Sequence, residues 1–233
     1  MIRLTDILTE GVYDPGIFKA VFTAGGPGSG KSYVASNLFG MPEKMPFVSA
    51  SGLKGVNSDS AFETYMEKAK LTTNLQNLTK PQHAKAMDLR KKAKSVSVKR
   101  MQQFINSKLG MLIDGTGKDY SKIAKMQSEL QKRGYDCFMV FVNTDLEVAL
   151  QRNSGRERVL PEKLVKDGWN AVQNNLGKFQ SLFGASNILV VDNSEKKDFG
   201  KVVKKAANNF VKKPIKNRVA KQWIKKELEL RKA

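Results

Sequence analysis

The chain has 233 residues, 40% of them hydrophobic, and a formal net charge of +19 from 41 Lys and Arg against 22 Asp and Glu. That length gives one large α/β domain or two small ones, and that hydrophobic content excludes a disordered chain. No apolar run approaches the roughly eighteen residues of a membrane helix. The segment Met1–Glu10 carries an acid and lacks the long apolar stretch of a signal peptide. The single cysteine, Cys137, lies in an apolar run, so an inert buried thiol is expected and no internal disulfide. The compartment these features imply is the cytoplasm, a host's included.

Residues 1–16 read as an arm that ends in the turn signal Asp14-Pro15-Gly16. An apolar strand from about Ile17 to Ala24 runs into Gly25-Gly26-Pro27-Gly28-Ser29-Gly30-Lys31-Ser32, and a helix from about Lys31 to Leu38 follows. A second strand edge ends at Gly55-Val56-Asn57-Ser58-Asp59, with a helix from Ala61 to Ala69. Pro81 opens a long basic helix to about Lys108. Its apolar positions Met87, Val98, Met101, Phe104 and Ile105 are sparse early and dense late. Its second half should therefore pack on the core while its first half faces solvent or a partner.

Gly110 to Ile113 is a short buried strand that ends in Asp114, and a helix from Tyr120 to Arg133 follows. Cys137 to Val142 is an unbroken apolar run, the mark of a strand covered on both faces. A helix from Asp145 to Arg152, an arginine cluster, a helical stretch from Pro161 to Phe183 and a last strand from Asn187 to Asp192 complete the pattern. Strands alternating with helices predict an α/β fold: a doubly wound parallel sheet of about five strands, with ligands at the carboxyl ends of the strands. The division expected is an arm over 1–16, one domain over 17–194 and a basic helical extension over 195–233. In that extension Ile215, Val219 and Trp223 are spaced for an amphipathic helix, with Trp223 packed on the domain.

The glycine-rich loop satisfies G-x-x-x-x-G-K-[ST] in the setting it requires, after a strand and before a helix. Its glycines let successive backbone N–H groups turn inward on a phosphate. Lys31 would reach the β- and γ-phosphates, the hydroxyl of Ser32 would ligate Mg²⁺, and the helix start adds its positive dipole end. Residues Gly25 to Ser32 are thus read as the grip on a nucleoside triphosphate, ATP.

Three further elements decide what happens to that nucleotide. Asp114 ends a hydrophobic strand, where such proteins hold Mg²⁺ and its water. AAA-type motors place a glutamate directly after this acid; Gly115 and Thr116 follow here, which argues against a motor. Asp59 could accept the proton of an attacking hydroxyl, or Asp59 or Ser60 could simply cap the next helix. Arg152 and Arg156, four apart and on one face if helical, could stabilise charge on a transferring phosphoryl group. Asp192-Asn193, after the last strand, lies where a purine could approach. His83 stands alone in a basic stretch and reads as a surface side chain.

The set G-G-P-G-S-G-K-S, N-S-D-S, I-D-G-T and R-N-S-G-R resembles the P-loop kinases of the phage-type polynucleotide 5′-hydroxyl kinase, zeta-toxin kinase and phage DNA hydroxymethyluridine kinase group, over about Phe18 to Asp192. The resemblance implies a helical lid over the site. It makes Asp59 the general base, Asp114 the acid that organises acceptor or metal, Arg152 the lid arginine against the nucleotide and Arg156 the one on the transferring phosphate. One position departs: polynucleotide kinases and zeta toxins carry an arginine three residues after the base, and Phe62 stands there. Acceptor recognition must then differ, or a lysine from the basic segment must substitute.

Charge points to the acceptor. Residues 80–100 hold eight Lys or Arg against Asp88, and residues 195–233 hold fourteen against four acids. Such blocks attract polyanions through counterion release, so nucleic acid, DNA in particular, is the partner expected at both. The reading is an ATP- and Mg²⁺-dependent phosphotransferase acting on a nucleic-acid hydroxyl, either a 5′ end or a hydroxymethylated base. The alternatives are a zeta-like kinase of a small acceptor such as a nucleotide sugar, and a nucleic-acid-binding scaffold that holds ATP without transfer.

Overall fold

In the computed structural model, which describes residues 11–42, 48–49, 51–156, 159–195 and 199–231, five parallel strands form one sheet. Its order is β2 (Lys54–Val56), β3 (Met111–Ile113), β1 (Lys19–Ala24), β4 (Asp136–Asn143), β5 (Ile188–Asp192). The first ten residues of the arm, and Arg158 of the arginine cluster, lie outside the described residues. Strand β1 is buried at every position, and β4 at all but its two ends. Each lies between two neighbours with helices on both faces, the setting in which an unbroken apolar run is stable. Because parallel neighbours need crossover connections, helices separate the strands: α1 (Lys31–Phe39), α2 (Asp59–Lys68), α3 (Lys80–Asn106), α4 (Tyr120–Lys132), α5 (Leu146–Ser154), α6 (Glu162–Gln173) and α7 (Leu176–Phe183). Two more follow the sheet, α8 (Lys201–Lys212) and α9 (Arg218–Leu230).

The strand alternation divides the core. Phe18, Phe22, Met139 and Phe141 pack toward the end of α3 and toward α4, α7 and α9. Val21, Phe138, Val140 and Val142 pack toward α1 and α8. The register sets the site: β1, β3 and β2 run side by side, so the loop at Gly25, Asp114 and Asn57 emerge together at their carboxyl ends.

Four features depart from the sequence reading. The early half of α3 is not left to solvent: Ala86 and Ala93 are buried against Phe62 and Met66 of α2. Alanines weigh little in a periodicity reading, and Val98, which counted as part of the apolar face, is 68% exposed. The stretch from Pro161 to Phe183 is two helices. Asn175, at the break, donates its Nδ2 to the carbonyls of Gly117 and Lys118 at 3.0 Å each. In the tail Ile215 belongs to the connection between α8 and α9 rather than to a helix. Finally, the Asp14 turn is anchored as well as bent. Its carboxylate accepts the Gly16 N–H at 2.8 Å and pairs with buried Lys54 at the start of β2.

The tail packs on the domain. Ala207, Phe210 and Val211 of α8 are buried, as is Ala220 of α9. Trp223 meets Phe18 edge-on, with ring centroids 5.5 Å apart. Its lysines stand mainly on the outward faces of these helices.

Candidate active site

Gly28 and Gly30 carry φ of 80° and 79°, in the left-handed region that side chains with a Cβ rarely adopt. Space forbids a side chain there as well. A Cβ on Gly28 would collide with the carbonyl oxygen of Ala149 in α5, and one on Gly30 with the side-chain amide of Asn193. The loop is therefore clamped by neighbours. The Ser29 carbonyl accepts Asn193 Nδ2 at 2.7 Å and Thr144 Oγ1 at 3.1 Å, and Trp169 of α6 donates to the Thr144 carbonyl at 2.6 Å.

Lys31 folds back over its own loop and donates to the carbonyls of Gly25 at 2.9 Å and Gly26 at 3.4 Å. Desolvation lowers its pKa below the ordinary lysine range; Asp114 opposes this, Arg156 adds to it and Asp59 opposes it. Asp114, Arg156 and Asp59 are thus each within electrostatic reach of Lys31. The hydroxyl of Ser29 is buried without a hydrogen-bond partner, and unsatisfied buried polar atoms are costly unless a ligand or water meets them. Two left-handed glycines, an orphaned hydroxyl, a desolvated ammonium and the start of α1 together fit a polyphosphate.

The acids are joined by a relay. Asp114 Oδ1 accepts Thr23 Oγ1 and Oδ2 accepts Asn57 Nδ2, both at 2.9 Å; Asn57 Oδ1 then accepts the Asp59 N–H at 2.7 Å. Three adjacent strand ends are thereby fixed to one another. Asp59 is the first residue of α2, and Ser58, which occupies the cap position before it, makes no side-chain cap bond. In the first turn a carboxylate is favoured by the helix dipole. The sequence reading gave no role to Thr23 or Asn57. The signal for Asn57 was the N-x-D spacing itself, since an asparagine two residues before an acid can bond that residue's N–H.

The arginines separate. Arg152 is in α5, donating Nη1 to the Asn193 carbonyl at 2.7 Å and Nη2 to that of Ser194 at 3.3 Å, beside Gly30. Arg156 lies past Gly155, where α5 has ended, so the two do not share a helix face. What holds the segment is Asn153, whose side chain donates to the Leu160 carbonyl at 2.8 Å and accepts the Leu160 N–H at 3.1 Å. Asn193 turns toward the loop at Ser29. Phe62 is buried, with the Arg90 guanidinium of α3 over its ring at 5.5 Å.

Among the described residues no cluster of three His, Cys, Asp or Glu could cage a metal. The oxygens that the sequence assigns to a metal are the Ser32 hydroxyl, on an exposed residue at the start of α1, and the Asp114 carboxylate, which accepts Thr23 and Asn57. That sparse set fits Mg²⁺, which keeps several waters and takes its other ligands from phosphates. His83 is exposed, and Cys137 is buried with its thiol pushed up to about 12 by desolvation, which leaves it inert.

No curated protein sequence matches this chain. Solved structures similar to this chain include two with TM-scores of 0.50 and above, which share its fold, and one below that value. The PezAT chromosomal toxin-antitoxin system of Streptococcus pneumoniae is 13% identical, with 91% of this chain and 86% of that one covered, at a TM-score of 0.50. A chain of the AVRRXO1-ORF1:-ORF2 complex is 13% identical over 88% of this chain, at a TM-score of 0.56. This chain spans 63% of that one's length. A gluconokinase from Sinorhizobium meliloti 1021 is 13% identical, covering 90% and 98%, at a TM-score of 0.45. A family model described as AAA domain, AAA_33, matches residues 21–179, which takes in the loop, the acid relay and both arginines. With its P-loop NTPase fold and a match over most of its length, the chain belongs to the AAA domain family AAA_33.

Proposed function

We propose that this protein is an ATP-dependent phosphotransferase that moves the γ-phosphoryl group to a hydroxyl, with a nucleic acid as the acceptor. The observation that carries the reading is the Thr23–Asp114–Asn57–Asp59 relay, whose two acids act electrostatically on Lys31, as Arg156 also does. Asp59 accepts the proton as the acceptor oxygen bonds to phosphorus and the bond to the β-phosphate oxygen breaks. Arg156 stabilises charge on the equatorial oxygens and Lys31 that on the β- and γ-phosphates. Mg²⁺, held by Ser32 and Asp114, supplies charge neutralisation when bound. Arg152 lies on the nucleotide side, beside Gly30.

The nucleic-acid acceptor is supported by where the charge sits. Helix α3, with Lys85, Lys91, Lys92, Lys94 and Lys99 exposed, packs on α2, whose first residue is Asp59. Its Arg90 stands over Phe62, the position where the resembling kinases carry arginine. A basic side chain of α3 thus lies beside that position, although it is an arginine and not the lysine that the sequence offered as one alternative. A second reading, a zeta-like kinase of a small acceptor, is favoured by the tail. Helices α8 and α9 pack on the core, so part of the basic excess belongs to a structural element rather than to a free arm.

The test is transfer from γ-labelled ATP with Mg²⁺ to 5′-hydroxyl DNA and RNA, hydroxymethyluracil DNA and a pool of nucleotide sugars, with Lys31→Ala as blank. Label on an oligonucleotide, weakening steeply with salt, supports the proposal. Label on a sugar alone moves the protein to the second reading.

A further inference from the structure

The amino ends of the strands, opposite the nucleotide loop, enclose a second cavity of about 450 Å³. Small-molecule sites span roughly 300–1,000 Å³. It exists because the tail folds beneath the sheet: the connection from α8 to α9 forms one wall, and the first residues of β1 and β4 form another. Lys19 and Asp136, which are register partners at those strand starts, pair at 3.3 Å. Asp136 also accepts the backbone N–H of Lys216 at 2.8 Å and of Asn217 at 3.0 Å.

Charge in this cavity does not balance. Lys213 and Lys216 act electrostatically on Lys19, and Asp136 is the acid that opposes them. Three ammoniums thus share one carboxylate whose oxygens are already occupied. Lys19 is 3% exposed, and burial holds it below the ordinary lysine value, with Asp136 opposing and Lys216 and Lys213 adding to the effect. Lys19 has Asp136 as its counter-charge, whereas Lys213 and Lys216, exposed beside it, find no second acid among the described residues that line the cavity. The other wall is aromatic: Phe138 and Phe210 stack at 4.7 Å, and Lys19 lies over the Phe210 ring at 4.9 Å.

We propose that this cavity binds a small phosphate monoester, its phosphate among Lys19, Lys213 and Lys216 and its organic body against Phe138 and Phe210. The excess of two positive charges matches a phosphate dianion rather than a single carboxylate. Lysines act on phosphate as point charges without the planar fork that suits carboxylates. The site lies at the opposite end of the sheet from the P-loop and does not depend on the phosphotransferase reading.

The experiment uses the full chain carrying Lys31→Ala, which weakens phosphate binding at the loop. Inorganic phosphate, and separately a nucleoside monophosphate, are titrated at constant ionic strength while the amide resonances of Lys216 and Asn217 are followed by NMR. Expected are saturable shifts, tighter for the monophosphate than for phosphate, and weakened at least tenfold by adding Lys213→Gln and Lys216→Gln. Those two side chains are exposed, so the variant keeps the fold, whereas Lys19→Met risks it. Shifts that stay linear with concentration, that are unchanged by the double substitution, or that are no stronger for the monophosphate would overturn the proposal.

Discussion

The two ends of the sheet both gather positive potential, and they do so with different parts. At the carboxyl ends the work falls on backbone N–H groups, one folded-back lysine and the start of α1, all within eight contiguous residues from Gly25 to Ser32. At the amino ends it falls on long side chains drawn from β1 and from the tail connection, which meet only after the tail has packed. The first arrangement is local and rigid, with its geometry fixed by glycines. The second is assembled from distant segments, and its three lysines stand against the one carboxylate of Asp136.

The largest effect should come from the loop end. Arg156→Ala should reduce the turnover number by about 10³-fold with little change in KM for ATP, as for loss of an arginine that acts on the transferring group. Steady-state kinetics check it. Asp59→Asn should lower turnover by about 10²–10³-fold while leaving ATP binding intact. Transfer at the wild-type rate would remove Asp59 from the mechanism. At the other end the effect should be on stability. Trp223→Ala strips the edge contact with Phe18 and should cost about 2 kcal/mol in denaturant unfolding, because α9 is part of the fold. The smallest effect should come from exposed charge. Lys91→Gln with Lys94→Gln should change stability by less than about 0.5 kcal/mol while flattening the salt dependence of oligonucleotide binding by about 1–2 in slope.

What the sequence revealed follows the same divide. The loop, the five strands and Asp114 were legible because each is written in consecutive residues: a glycine pattern, an apolar run, an acid at a strand end. The relay was not, since Thr23, Asn57 and Asp114 come from three separate strands and meet only through the order β2, β3, β1. The spacing of Arg152 and Arg156 allowed one face only if the pair were helical, and α5, which runs to Ser154, takes in the first and not the second. The contact of the early half of α3 with α2 escaped notice because it is made by Ala86 and Ala93, whose small side chains give no periodic signal. Arg90 over Phe62 joins two helices and has no local mark at all.

The clasp that Asn153 makes with both backbone groups of Leu160 has a consequence for how far the arginine can travel. Arg156 is three residues from the clasp on one side and four on the other. An extended chain covers at most roughly 3.5 Å per residue, so its Cα is tethered within about 10 Å of the Asn153 Cα however the intervening backbone moves. A short tether keeps the effective concentration of the guanidinium high around one small volume. Asn153→Ala would leave that covalent leash at the same length and remove only its second anchor at Leu160, so the arginine would sample more of the volume the leash allows.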